Sequence, residues 1–181
     1  MPFPRDHKYT AEEFFKLTPE NESERYELIN GEIFAQSAPS AIHQTLVMRI
    51  SSKIDNFIMS NKGKCKVLIS PFDVVLDDEN VVQPDVLVVC KDDKLDNKRC
   101  NGAPDLIIEI TSSNYGRDYI DKLDIYRKSG VREYWIVDPL YERVMVYFFE
   151  MSNSPNIYTF DSEVPVGIYD GKLTICVKDL L

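Results

Sequence analysis

Several features that would announce a function at once are missing. Only two histidines occur, and Cys65, Cys90, Cys100 and Cys176 include no Cys-x-x-Cys pair. Neither a zinc site nor a disulfide framework is therefore signalled, and the four thiols are expected to be reduced and mostly in the core. No stretch approaches the roughly 20 apolar residues of a membrane-spanning helix, and the start, Met1-Pro2-Phe3-Pro4-Arg5-Asp6, has no apolar signal core. A cytoplasmic protein without a membrane partner is the expectation. Basic residues are in the minority, 21 Lys and Arg against 30 Asp and Glu, for a net charge of -9. That balance argues against a protein that coats nucleic acid with its whole surface. It leaves room for a local basic groove, or for clustered carboxylates that want a divalent cation. Repeats, low-complexity tracts and linkers are absent too, so residues 1–181 are expected to form a single domain. What is present, 44% hydrophobic and 28% charged residues, belongs to a globular chain rather than a disordered one.

Local signals sketch the order of elements. Thr10-Ala11-Glu12-Glu13 has capping-box spacing, so a short helix should run through Phe14, Phe15 and Leu17. Arg25 to Ser37 reads as a hairpin around Asn30-Gly31. Ile42, Leu46, Ile50, Ile54 and Phe57-Ile58 recur at helical spacing and predict one long amphipathic helix ending near Gly63. Strand-like runs follow at Lys66–Ile69, Phe72–Leu76 and Asp85–Cys90, then at Leu106–Ile110. A helix over about Arg117–Lys128 should stop at Gly130. Glu133–Val137 and Val144–Phe149 are strand-like around a turn at Asp138-Pro139, and weak strands close the chain. The fold class expected is α/β (α+β): a mixed central β-sheet flanked by helices, with an N-terminal hairpin and C-terminal strands.

One residue sits where a buried strand should have none. Glu109 falls inside the apolar run Leu106 to Ile110, and an unpaired buried carboxylate costs several kcal/mol. It is either ion-paired or the anchor of a site. Two Pro-Asp pairs offer a partner, Asp85 and Asp105. Four residues along one strand would separate the backbones of Asp105 and Glu109 by about 13 Å, too far to share a metal. Asp85 opens another strand, and neighbouring strands lie about 4.8 Å apart, so Asp85 is the better partner. Lys122, on the following helix, shares a face with Tyr119, Leu123 and Tyr126 and can reach over the strand ends. Its alternative is an i,i+4 pair with Asp118 worth only about 0.3–0.5 kcal/mol.

Gln83 to Val89 (Q-P-D-V-L-V-V), Pro104 to Ser113 (P-D-L-I-I-E-I-T-S-S) and Asp118 to Pro139 (D-x-x-x-K-L-x-x-Y-x-x-x-G-V-x-E-Y-W-I-V-D-P) come in this order. Together with Tyr26 to Glu32 (Y-E-L-I-N-G-E) and His43, they resemble the Uma-type restriction endonuclease family of the PD-(D/E)XK phosphodiesterase superfamily. The resemblance implies a restriction-endonuclease-like fold with Mg²⁺ or Mn²⁺ at Asp85 and Glu109, assisted by the backbone carbonyl of Ile110. It also implies that the lysine usually found two residues after the carboxylate, where Thr111 stands, has moved to Lys122. Glu32 matches a second acidic position, with an exposed hairpin-end carboxylate as its alternative. His43 reads as a packing or capping residue before a base, and Asp118 as a residue that orients Lys122.

The function implied is metal-dependent endonuclease hydrolysis of phosphodiester bonds in DNA, with Asp85, Glu109 and Lys122 catalytic. The rival is a catalytically silent DNA- or protein-binding module on the same fold. Arg49, Lys53, Lys62, Lys64 and Lys66 are candidate phosphate contacts. Val144 to Phe149 is apolar at both alternating sets of positions, which predicts one face on the core and one against a second subunit in a homodimer.

Overall fold

The computed structural model describes residues 3–4, 6–18, 25–111, 115–152 and 154–181, without the side chains of 115–120. Thr10 closes the capping box: its hydroxyl accepts from the Glu13 amide at 3.2 Å while Glu13 accepts from the Thr10 amide at 2.9 Å. Helix α1 (Ala11–Leu17) starts there. Strands β1 (Tyr26–Ile29) and β2 (Glu32–Ala35) form the expected hairpin, and Asn30 and Gly31 both take positive φ, 49° and 74°. Ser40 caps the long helix α2 (Ala41–Ser60) by accepting from the His43 amide. Leu46, Val47, Ile50, Ile54 and Ile58 form its buried stripe, whereas Ile42 is 45% exposed.

Strands β3 (Lys66–Ile69), β4 (Asp73–Asp77), β5 (Asn80–Val82), β6 (Val86–Val89), β7 (Arg99–Asn101) and β8 (Leu106–Ile110) lead to helix α3 (Tyr115–Ser129). After it come β9 (Glu133–Asp138), β10 (Arg143–Phe148), β11 (Asn156–Thr159), β12 (Glu163–Pro165) and β13 (Thr174–Cys176). The mixed sheet expected is six-stranded, ordered β11-β10-β9-β8-β6-β3, with β8 and β9 parallel and the other pairs antiparallel. A second sheet, β2-β1-β5-β4-β7, and the small pair β12-β13 were not distinguished in the sequence. The short strands β5 and β7 were missed because three residues carry too little periodicity to read.

Period-two alternation sorts the six-stranded sheet into two faces. Val86, Val88, Leu106, Ile108, Val144 and Val146 pack against the α2 stripe. Leu87, Val89, Ile107, Ile136, Met145 and Tyr147 face Ile125 and Tyr126 of α3 and Val74 and Val82 of the second sheet. Helix α1 closes the outer layer through Phe14 on Leu28 and Val81.

Two expectations are corrected. Both faces of β10 are covered within the chain, because the strand lies between the two cores. Its two-sided apolar pattern therefore calls for no second subunit, and the homodimer inferred from it loses its ground. Cys65 and Cys90, expected as reduced thiols, are joined in a disulfide. The β3–β6 register pairs Lys66 with Val89 and so sets the two cysteines opposite each other, which their 25-residue separation in sequence does not show. Cys100 and Cys176 are free and buried, as expected. Among the described residues no helix is long and apolar enough to cross a membrane.

Candidate functional site

β6 and β8 are antiparallel neighbours with Val86 opposite Ile108, so Asp85 and Glu109, one step outside that pair, meet at one end of the two strands. The Asp85 amide donates to Glu109 Oε2 at 3.4 Å, and the Ile110 amide donates to Asp85 Oδ2 at 2.8 Å. Alternation along β8 turns Glu109 to the α3 side. There its Oε1 accepts from Lys122 Nζ at 3.0 Å and from the Tyr126 hydroxyl at 2.7 Å. Lys122 is not a surface partner of its own helix: it is 6% exposed and bridges Glu109 to Glu27, again at 3.0 Å. The Asp118 side chain lies outside the described residues.

Glu27 belongs to the second sheet. In β1 it is 4% exposed, and its Oε1 also accepts from the Gln83 amide at 2.8 Å. On the other flank, His43 Nε2 lies 2.9 Å from Asp85 Oδ2, so the Ser40 cap that starts α2 also fixes the ring against the carboxylate. The short hydrogen bonds fall on one oxygen of each acid. Asp85 Oδ2 and Glu109 Oε1 each take two donors, Asp85 Oδ1 takes none among the described residues, and Glu109 Oε2 takes only the long Asp85 contact.

Glu27, His43, Gln83, Asp85, Glu109 and Lys122 line one open cavity of about 1340 Å³. Burial pushes Glu109 up to about 7; the Lys122 charge opposes the rise, and the Asp85 and Glu27 charges add to it. Burial works against the Lys122 ammonium, but Glu109 and Glu27 outweigh it and hold the amine well above its usual range. Burial and the Glu109 charge keep the Tyr126 phenol protonated, as a donor. Burial also opposes the charged His43 ring, yet the hydrogen bond and charge of Asp85 raise its pKa, while Arg25 pulls the other way.

The donor set fits a hard divalent cation. Four carboxylates, Glu27, Asp85, Glu109 and Asp121, line the cavity against two fixed cations, Arg25 and Lys122. His43 Nδ1, Gln83 Oε1 and Thr111 Oγ1 are also buried on its wall, without hydrogen-bond partners among the described residues. Two converging carboxylate oxygens suit Mg²⁺, which keeps several waters and takes few protein ligands.

A family model, Uma2, described as "Putative restriction endonuclease", matches residues 11–165. The chain belongs to the Uma2 family. A crystal structure described as a "putative nuclease belonging to DUF820" from Anabaena variabilis matches with a TM-score of 0.78 and 24% identity. The match covers 94% of this chain and 96% of that one, and at this identity it speaks for the fold. No curated protein matches.

On this Uma2 fold, Asp85, Glu109, Ile110 and Lys122 all line the one cavity. Asp105 points elsewhere, to the Cys90 amide and Arg132. Glu32 is outside the cavity and pairs with Lys8 at 2.9 Å. The hairpin's acid in the cavity is Glu27, which went unnoticed although it shows the same anomaly as Glu109, a carboxylate inside an apolar strand. His43, expected to pack or cap before acting as a base, lies against Asp85. None of Arg49, Lys53, Lys62, Lys64 and Lys66 lines the cavity; Arg49 donates to the Leu180 carbonyl and Lys66 pairs with Asp92. Elsewhere, Glu163, Cys176 and Asp179 bring three donor atoms within 4.8 Å of one another. That group is on the small β12-β13 sheet and its end, away from the cavity, and Glu163 is engaged by Thr174.

Proposed function

We propose that the chain hydrolyses phosphodiester bonds in DNA with a divalent cation, Mg²⁺ or Mn²⁺, held by Asp85 and Glu109 with the Ile110 carbonyl. The observation that carries the reading is the pair of carboxylates converging from β6 and β8 with one oxygen each left to bind. Membership of the Uma2 family supports the same reaction class. A cation there would supply Lewis acidity and offset charge on the phosphate oxygens. The chain's own residues do the rest. His43 and the Ile110 amide fix the Asp85 carboxylate through Oδ2. Tyr126 and Lys122 fix Glu109 through Oε1. An ammonium has three N–H donors, and Lys122 uses two on Glu27 and Glu109. The third is available to an attacking water or to the oxygen on which negative charge develops, the contribution expected of a preorganised donor.

Supercoiled plasmid incubated with Mg²⁺ or Mn²⁺, with and without EDTA, tests the reading. The wild-type chain should nick it only with metal, and Asp85→Asn should abolish both nicking and calorimetric metal binding. A wild-type chain that binds either ion and leaves DNA intact would refute the hydrolase reading.

A further inference from the structure

Arg25 lines the same cavity, and among the described residues it is the cation there whose side chain has no hydrogen-bond or ion-pair partner. Its place is fixed by the backbone. The Gln36 amide donates to the Arg25 carbonyl at 2.8 Å, which carries the β1–β2 ladder one step beyond the Tyr26–Ala35 pair. Alternation then puts Arg25, Glu27 and Ile29 on one face of the hairpin, and all three line the cavity. Arg25 therefore stands two residues, about 7 Å of strand, from Glu27. The charge of its guanidinium reaches His43, whose protonated form it opposes.

An arginine among carboxylates in a chain of net charge -9 would ordinarily pair with one of them. Here three of the four cavity acids are already engaged: Glu27 by Lys122 and the Gln83 amide, Asp85 by His43 and the Ile110 amide, and Glu109 by Lys122 and Tyr126. A planar guanidinium with unused donors matches the oxygens of a phosphate, which it can hold at two points. The surrounding carboxylates also repel a polyanion everywhere except near such a charge.

We propose that Arg25 is a phosphate-anchoring residue that binds one phosphate of a nucleic-acid strand and positions the strand over Asp85, Glu109 and Lys122. This rests on the nucleic-acid reading above. A contact to a phosphate that does not react is made equally in ground state and transition state, so it acts on KM and leaves kcat alone.

The test uses the full chain as wild type, Arg25→Gln and Arg25→Lys, with a fluorescent single-stranded oligonucleotide titrated in Ca²⁺ at several salt concentrations. Arg25→Gln should weaken binding about tenfold for any base sequence and lower the salt slope by about one. Arg25→Lys should keep the slope and lose part of the affinity, because the charge remains and the fork does not. With Mg²⁺ or Mn²⁺, KM should rise in Arg25→Gln at unchanged kcat. All three proteins should melt alike, since among the described residues Arg25 has no side-chain partner to lose. An Arg25→Gln protein with wild-type affinity and salt slope overturns the proposal, and so does a fall in kcat at unchanged affinity. A wild-type chain that does not bind the oligonucleotide overturns it as well. A wild-type chain that binds, shows the Arg25 dependence and cleaves nothing would sink the hydrolase reading and leave the anchor standing.

Discussion

Replacing Glu109 with glutamine should stabilise the metal-free protein at alkaline pH while removing its ability to bind metal. The magnitude follows from linkage. Glu109 has an ordinary value of 4.5 and is pushed up to about 7 in the fold. An acid whose folded pKa is raised binds its proton more tightly in the native state, so stability falls as pH rises from 4.5 to 7. At pH 8 the ionised carboxylate disfavours folding by on the order of 3 kcal/mol, and at pH 5 by under about 1 kcal/mol. Glutamine resembles the neutral acid in size. Its carbonyl can still accept from Lys122 and Tyr126, its NH₂ group gives up only the long 3.4 Å contact with the Asp85 amide, and Lys122 keeps its bond to Glu27. Urea unfolding in EDTA should therefore find Glu109→Gln more stable than wild type by roughly 2–3 kcal/mol at pH 8, with most of that gap gone at pH 5. Adding Mg²⁺ or Mn²⁺ should stabilise the wild type and leave the variant unchanged, because only a state that binds the ion gains from it. A variant less stable than wild type at pH 8, or a gap of equal size at both pH values, would refute the argument.

Lys122→Met should behave in the opposite sense. It leaves Glu27 and Glu109 buried without their shared counter-charge, which should cost about 3–5 kcal/mol in denaturant unfolding at pH 8. Its loss of activity therefore has to be measured on protein shown to be folded. His43→Ala should lower calorimetric metal affinity by about 10–100-fold, because it frees Asp85 from the donor that orients it, and His43→Gln should recover part of that loss. Glu133, 1% exposed, accepts from Trp135 Nε1 and from the Gly167 and Ile168 amides, so both its oxygens face donors. In Glu133→Gln an amide NH₂ must meet one of those donors, and thermal unfolding should report a loss of about 1–3 kcal/mol with metal binding intact.

Signals that act over a few residues were legible in the sequence. Thr10 and Glu13 cap α1, Asn30-Gly31 turns the hairpin, and Gly130, with φ of 88°, ends α3. Each depends on backbone groups within a turn of itself. Glu109 was legible because a charge inside an apolar strand needs a cause, and Asp85 because strand spacing excluded Asp105. The rest depends on register between distant segments. For Lys122 the sequence leaves a reach over the strand ends and a pair with Asp118 both open, and its partner Glu27 comes from β1, 95 residues earlier. The Cys65–Cys90 bond and the Asp85–His43 contact are hidden in the same way, since each joins segments whose mutual placement is set by the pairing of β3, β6 and β8 and the seating of α2. Glu27 is the exception. It is a charge inside an apolar strand just as Glu109 is, whereas Glu32 is at the far end of the same hairpin and pairs with Lys8.

The seam between the two sheets gives these charges a common explanation. Glu27 comes from one sheet and Asp85 and Glu109 from the other, and Lys122 on α3 reaches both. A group of this kind is poor material for stability, because well-packed apolar residues of similar volume are often as stabilising as a buried ion cluster, or more so. One ammonium is shared by two carboxylates there, and burial, with the Asp85 and Glu27 charges adding to it, raises Glu109 despite that ammonium. Apolar packing alone would have filled the seam, as it does a few residues away where Leu87, Ile107 and Tyr126 meet in the same layer. Carboxylates held there at a cost to folding, each with an oxygen that takes no short hydrogen bond from the described residues, are what the proposed cation site would account for and what a structural core does not call for.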